Sequence, residues 1–278
     1  MSNQNNSVVS VKDLIVTLKG ENGNDRDIHY GSFDIHPRDF LLVKGRNGSG
    51  KSTFLRLFHL QGVDYFYVKS GEIIFCEDGL PKESIHTYSG ADLTRLNRRV
   101  SFIGQEERFL SSSSAHSYIY DVCLTALRES GLSGAQLRER LRRVDDMICE
   151  YYEKYLAKSF ECKKYKTFKT KKVSAWSGGQ QKMINVLAGI IKARVCGIKL
   201  VLMDEPLNNL DGRNKDVLNK LINELLADGV AMITITHCQI FDGVNKVLFL
   251  EEREDGTRHA KLSECSEPAH VECLESYH

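Results

Sequence analysis

Apolar positions recur along the chain in two rhythms, and their order predicts alternating strands and helices. Residues 8–16 (VVSVKDLIV) partly alternate and predict a strand, and 20–27 (GENGNDRD) predict a polar turn. Residues 40–43 form a short apolar run that leads into a glycine, the pattern of a buried strand. Residues 51–60 carry helical spacing, and 72–75 and 100–103 predict two further strands. From about 117 to 156 the pattern is helical. Leu137, Leu141, Val144, Ile148, Tyr151 and Tyr155 fall at intervals of three and four, which places them on one helix face docked on its own domain. The second half alternates more cleanly: helix 179–194, strand 199–203, helix 213–227, strands 230–235 and 246–250. Such alternation predicts an α/β fold with a largely parallel sheet covered on both faces. No internal repeat is present, and residues 111–114 (SSSS) predict a loop.

The chemistry clusters at the ends of these predicted strands. Residues 45–53 read GRNGSGKST and contain G-x-x-x-x-G-K-S, with Gly45, Gly50, Lys51 and Ser52 in place. A strand precedes and a helix follows, so glycine-rich backbone N–H groups and a helix N-terminus face a phosphate together. Lys51 supplies a point charge for β- and γ-phosphates, and the Ser52 hydroxyl can ligate Mg²⁺. Residues 199–206 read KLVLMDEP, an apolar strand ending in two carboxylates at the edge where ligands bind in such sheets. Asp204 is suited to hold Mg²⁺ and Glu205 to polarise an attacking water. Residues 176–182 read WSGGQQK, a second anion cradle at a helix start, or a turn with Ser177 as its cap.

In this order the motifs resemble the ATP-binding cassette (ABC) ATPases over about residues 8–250. GRNGSGKST looks like the family P-loop, SGGQ like its signature motif, MDEP like Walker B with the catalytic glutamate, and NNLD (208–211) like the D-loop. Gln105 looks like the Q-loop glutamine and His237 like the switch histidine. The resemblance implies a P-loop NTPase-type, mostly parallel core with a small antiparallel β region at the N-terminus and a helical insertion. It implies one ABC ATPase domain over 1–262, a helical subdomain at about 106–176, and a tail at 263–278. It assigns catalysis to Glu205, His237 and Gln105, and Mg²⁺ to Ser52, Gln105 and Asp204. ATP falls to Gly45, Asn47, Gly48, Gly50, Lys51, Ser52 and Thr53, with Ser177, Gly178, Gly179, Gln180 and Asp211 completing the site. The implied partners are a second copy or homologous ABC subunit, sandwiching ATP, and separate membrane-spanning subunits.

Three positions depart from the family pattern. Trp176 replaces the usual leucine before SGGQ, and NNLD is bulkier than the usual D-loop. Leu18 stands where an aromatic platform for adenine is usual, which leaves Tyr30 as the substitute platform.

Composition narrows the partners only partly. The 278 residues are 41% hydrophobic and 27% charged with net charge +1, which excludes disordered and polytopic membrane classes and leaves nucleic acid open. No apolar run approaches the ~18 residues a membrane helix requires. The polar N-terminus lacks a signal-peptide core, and Cys76, Cys123, Cys149, Cys162, Cys196, Cys238, Cys265 and Cys273 are too scattered for a disulfide framework. The expected location is cytoplasmic, peripheral on the cytoplasmic membrane face through partner subunits. Residues 154–172 hold eight Lys against one Glu, with Tyr155, Phe160, Tyr165 and Phe168 interleaved. That pattern suits single-stranded nucleic acid, anionic lipid or a solvated basic face. It keeps open a second reading, a soluble ABC ATPase acting on nucleic acid or in cofactor assembly. A nucleotide-gated binding module is the third, opposed by the intact Glu205. Cys265, His270, Cys273 and His278 offer four zinc ligands at a spacing unlike the common fingers, which reads as a frayed tail.

Overall fold

The computed structural model describes residues 7–20, 24–59, 65–104, 113–162, 164–236, 241–254 and 256–265. Among the described residues, nine strands form one sheet: β1 (Val9–Leu18), β2 (Arg26–Ile35), β3 (Phe40–Gly45), β4 (Phe66–Phe75), β5 (Val100–Ile103), β6 (Leu200–Asp204), β7 (Ala231–Ile235), β8 (Lys246–Glu252) and β9 (Arg258–Glu264). Their spatial order is β4-β1-β2-β9-β8-β3-β7-β6-β5. β8, β3, β7, β6 and β5 pair in parallel, whereas β4, β1 and β2 pair antiparallel. β9 joins the two regions, antiparallel to β8 and parallel to β2. This is the predicted P-loop NTPase-type α/β fold with its small antiparallel region.

The parallel strands are apolar throughout because both faces are buried. On β3, Leu41 and Val43 pack with Phe54, Leu57 and Phe58 of α1 (Lys51–His59). Phe40 and Leu42 pack on the other face with the cluster that includes α7 (Gly178–Cys196) and α8 (Gly212–Ala227). The antiparallel strands obey a broken alternation. Val9 and Val11 face the core, then Leu14 and Val16 do, because a bulge at Asp13 shifts the register against both β2 and β4. Asp13 takes φ 43°, and Gly71 on β4 is required opposite it, since a Cβ there would lie 2.4 Å from the Asp13 carbonyl oxygen.

The helical pattern predicted from about 117 to 156 is interrupted: the insertion opens with α3 (Ala115–Glu129) and α4 (Gly134–Tyr151) as separate helices. The break falls at Ser130–Ser133, a Gly-containing turn. Val144, Ile148 and Tyr151 are buried and Leu137, Leu141 and Tyr155 half-buried against the same core, as the spacing predicted. α4 continues through a π-helical turn (Tyr152–Leu156) into α5 (Ala157–Ser159) and then α6 (Tyr165–Thr170). The insertion's entry and exit are pinned together where Val173 N donates to Ser113 O at 2.9 Å. α2 (Ala91–Asn97), β2 and β9 are further elements that the sequence pattern did not predict.

His86 sits in a short 3₁₀ turn (Ile85–Thr87), and burial pushes its imidazole down to about 4 from an ordinary 6.5. Between those values the unfolded chain binds the proton and the folded chain does not. Its stabilisation is therefore complete above about pH 6.5 and drains away as pH falls towards 4. The expected loss at pH 5 is about 2 kcal/mol. Urea unfolding of wild type and His86→Met at pH 7 and pH 5 checks this: the variant should show a clearly smaller acid-induced drop in midpoint.

Candidate functional site

The parallel strands run in the same direction, so their C-terminal ends deliver the charged motifs to one edge. Val43 on β3 and Asp204 on β6 both pair with Ile235 on the intervening β7. The loop after β3 and the acids after β6 therefore flank the exit of β7. They meet in a cleft of ≈ 330 Å³ lined by Leu18, Asn47, Gly48, Gly50, Lys51, Ser52, Thr53, Asp204, Glu205, Asn208 and Ile235. Gly45 lies at the base of the loop, with its Cβ position 2.8 Å from the Leu250 carbonyl.

Lys51 opens α1 and is only 7% exposed. Its Nζ donates to the carbonyls of Gly45 at 2.8 Å and Arg46 at 3.0 Å, which closes the loop on itself. Burial lowers the lysine's pKa, and the Glu205 and Asp204 carboxylates oppose that shift. Glu205 is 5% exposed. It adopts φ 49°, a left-handed conformation that costs an ordinary residue about 1–2 kcal/mol. Its N–H donates to Ile235 O at 3.1 Å, which fixes the turn after β6 against the exit of β7. Strain of this kind persists only where surroundings enforce it and is concentrated at functional sites.

Ser177, Gly178, Gly179, Gln180 and Asp211 do not line this cleft. Ser177 caps α7 in a reciprocal box: its N–H donates to Gln180 Oε1 at 3.0 Å, and its Oγ accepts from Gln180 N. Asp211 caps α8, accepting from Asn214 N at 2.8 Å. Gln105 and His237 lie outside the described residues. The strand exits that lead to them are described, and Lys182 of α7 donates to Gly104 O at 2.9 Å.

Tyr30 is not an adenine platform. It is 2% exposed and packs on Phe54 at 4.9 Å, and its hydroxyl donates to the Gly50 carbonyl at 3.0 Å, so it buttresses the loop from beneath. Leu18, at the end of β1, is the residue that faces the cleft. Asn208, the first residue of NNLD, also lines it, as does Ile235, which no sequence signal singled out.

The basic segment separates in space. Phe160 and Phe168 are buried and Tyr155 and Tyr165 half-buried, so the aromatic half of the nucleic-acid pattern belongs to the core. Lys154, Lys158, Lys164, Lys166, Lys169 and Lys172 remain on the surface. Trp176 is 5% exposed between Phe160 (ring centroids 5.2 Å) and Phe168 (6.3 Å), with the Lys171 ammonium 3.8 Å above its ring. The larger residue before SGGQ thus fills a box whose other walls come from the insertion. Of the tail's four zinc candidates only Cys265 is described, and no described group of three or more His, Cys, Asp or Glu could hold a metal ion.

Among the described residues no helix is long and apolar enough to cross a membrane. Solved structures with similar folds include CbiO1 from Clostridium perfringens, described as part of the ABC transporter complex cbiONQ. It is 20% identical over 95% of this chain and 89% of its own, with TM-score 0.65. The dimeric structure of MJ0796, a bacterial ABC transporter cassette, is 19% identical over 92% of this chain and 98% of its own, with TM-score 0.66. A post-hydrolysis form of MJ0796 bound to ADP and Pi matches at TM-score 0.63 and 20% identity over 92% of this chain and 98% of its own. The family model described as ABC transporter matches residues 28–208, well over half of the sequence and all of the P-loop, signature and β6 motifs. With those motifs assembled on the expected strand and helix ends, the chain belongs to the ABC transporter family.

Proposed function

We propose that this chain binds ATP with Mg²⁺ and hydrolyses it as the nucleotide-binding subunit that energises a membrane transporter, the transmembrane part residing in separate subunits. The observation that carries this reading is the cleft in which the loop after β3 meets the carboxylate pair after β6. Its donor set fits a Mg²⁺-triphosphate: backbone N–H groups of a glycine turn, an ammonium, the Ser52 hydroxyl and carboxylate oxygens, the hard ligands that Mg²⁺ takes. Gly45, Asn47, Gly48, Gly50, Lys51, Ser52 and Thr53 would hold the phosphates, and Ser52 and Asp204, with Gln105, the cation. When bound, Mg²⁺ would neutralise phosphate charge. The chain's own contribution is positional. The P-loop fixes the phosphate chain, Lys51 balances its charge, and Glu205 orients water and takes its proton, with His237 beside the γ-phosphate.

The signature residues lie away from their own chain's cleft, which supports a second copy or homologous subunit supplying them in trans. With Phe160 and Phe168 buried and Tyr155 and Tyr165 half-buried against the core, the described part of that segment offers little support for the nucleic-acid alternative. The chain would then lie on the cytoplasmic face of a membrane through its partners. Phosphate release from purified protein, with and without co-expressed membrane subunits from neighbouring genes, tests the assignment. No ATP-dependent release in either form overturns it.

A second expectation follows from the trans arrangement. Ser177→Arg places a long cation at the exposed helix start that would meet the partner's nucleotide. It should abolish ATP-induced dimers while leaving the monomer's ATP affinity near the wild-type value, since Ser177 does not line the cleft, and losing the α7 cap should lower stability by about 0.5–2 kcal/mol. Size-exclusion chromatography in parallel with calorimetry reads both.

A further inference from the structure

The signature turn and the NNLD turn come from distant parts of the sequence, yet the structure joins them twice. The first joint is direct. A Cβ on Gly179 would lie 2.8 Å from the carbonyl oxygen of Asn209, so only glycine lets these backbones meet. The second runs through the insertion at Ser159 and Phe160. The Phe160 ring packs on Trp176, the residue before Ser177, and Gln180 Nε2 donates to the Phe160 carbonyl at 3.5 Å. One residue earlier, Ser159 Oγ donates to Asn214 Oδ1, in the first turn of α8. Asn214 is 3% exposed, and its N–H donates to Asp211, the last residue of NNLD. Farther along α8, Glu224 accepts from Lys154 at 2.8 Å and from Tyr155, so the same insertion grips both ends of that helix.

We propose that the Ser159–Phe160 turn is an intrachain brace that makes the signature turn and the NNLD turn one rigid unit. Ser159, Phe160 and Trp176 are then positioning residues for the half-site that this copy presents to its partner. The coupling part rests on the reading that both turns complete a nucleotide site in trans. Two packed turns tied to the same insertion turn and to a filled aromatic box move together, because close-packed contacts are not continuously deformable. The residues that form the two joints do not line the chain's own cleft, which the NNLD turn reaches only through Asn208. Loosening the brace should therefore spare ATP binding by the monomer and damage only the steps that need two copies.

Trp176 is the sole tryptophan of the chain and lies inside the brace, so it reports on it without nucleotide. The test uses the full chain with Ser159→Ala, and Ser159→Thr as the variant that keeps the hydroxyl. Without nucleotide, Ser159→Ala should raise acrylamide quenching of Trp176 measurably, with helix content retained by circular dichroism. ATP affinity by calorimetry should stay at the wild-type value. Phosphate release should fall about twofold to tenfold, the range that one lost hydrogen bond spans, with a Hill coefficient nearer one. Ser159→Thr should restore quenching and turnover together. Unchanged quenching in Ser159→Ala overturns the brace. Raised quenching with wild-type turnover and Hill coefficient overturns the coupling, as does a Ser159→Thr variant that recovers neither. A wild type that neither dimerises nor hydrolyses ATP overturns the trans reading and the coupling with it, while quenching still decides the brace.

Discussion

Lys51→Ala should weaken ATP binding about 10- to 100-fold and abolish measurable turnover at millimolar ATP. The side chain provides a charge-assisted hydrogen bond, a contact worth about 1.5–3 kcal/mol. Two structural effects add to that loss. The ammonium now bridges the Gly45 and Arg46 carbonyls at 2.8 and 3.0 Å, so removing it releases the loop that must wrap the phosphates. It is also a cation beside Asp204 and Glu205, and removing it strengthens the repulsion between their negative charge and an incoming polyanion. Calorimetric titration with ATP, beside a thermal melt showing that α1 and its sheet contacts survive, is the measurement. Unchanged affinity would remove the cleft from consideration as the nucleotide site.

The parallel half of the fold was legible because burial on both faces leaves each strand as an unbroken apolar run. Residues 200–203 (LVLM) and 231–235 (AMITI) have no polar position on either face except Thr234, whose hydroxyl finds the Met203 carbonyl. The antiparallel half was partly hidden. Strict alternation is the signal for a half-buried strand, and the bulge at Asp13 breaks it. On β2 the buried residues change parity between Tyr30 and Phe33, on either side of Gly31, so a pattern search sees two short fragments. β9 was hidden for another reason: its residues alternate weakly and only Arg258 is buried, so its place depends on pairing with β8 and β2.

The site's charged residues were legible because phosphate chemistry constrains their types and spacing. Its apolar and supporting parts were not. Whether Tyr30 faces the ligand or lies beneath the loop depends on which face of β2 it occupies, and the parity change erases that information. Basic and aromatic residues alternate in 154–172 because a solvated face and a core face share one irregular helical segment. Sequence order cannot separate that from a stacking surface, whereas burial of Phe160, Phe168 and Trp176 does.

Glu205→Gln should retain ATP affinity, lose turnover by about 10²–10⁴-fold and accumulate an ATP-bound dimer. Phosphoryl transfer to water depends mainly on positioning and on electrostatic stabilisation, and a carboxylate beside the attacking water both orients it and accepts its proton. Glutamine has nearly the same shape, so the turn that holds φ 49° and the hydrogen bond from residue 205 N to Ile235 O should persist. Asp204, Ser52 and Lys51 are unchanged, so the groups proposed to hold phosphate and Mg²⁺ remain. What the amide lacks is basicity, and the step that fails is the one that consumes a proton acceptor. On the proposed cycle, in which a dimer closes on ATP and opens after hydrolysis, the variant should stay closed. Phosphate release and dimer fraction, followed together in wild type and variant, separate the possibilities. Wild-type turnover in the variant would place the base elsewhere and make His237 the next residue to change. Loss of binding together with turnover would show that Glu205 shapes the cleft rather than acting on the water within it.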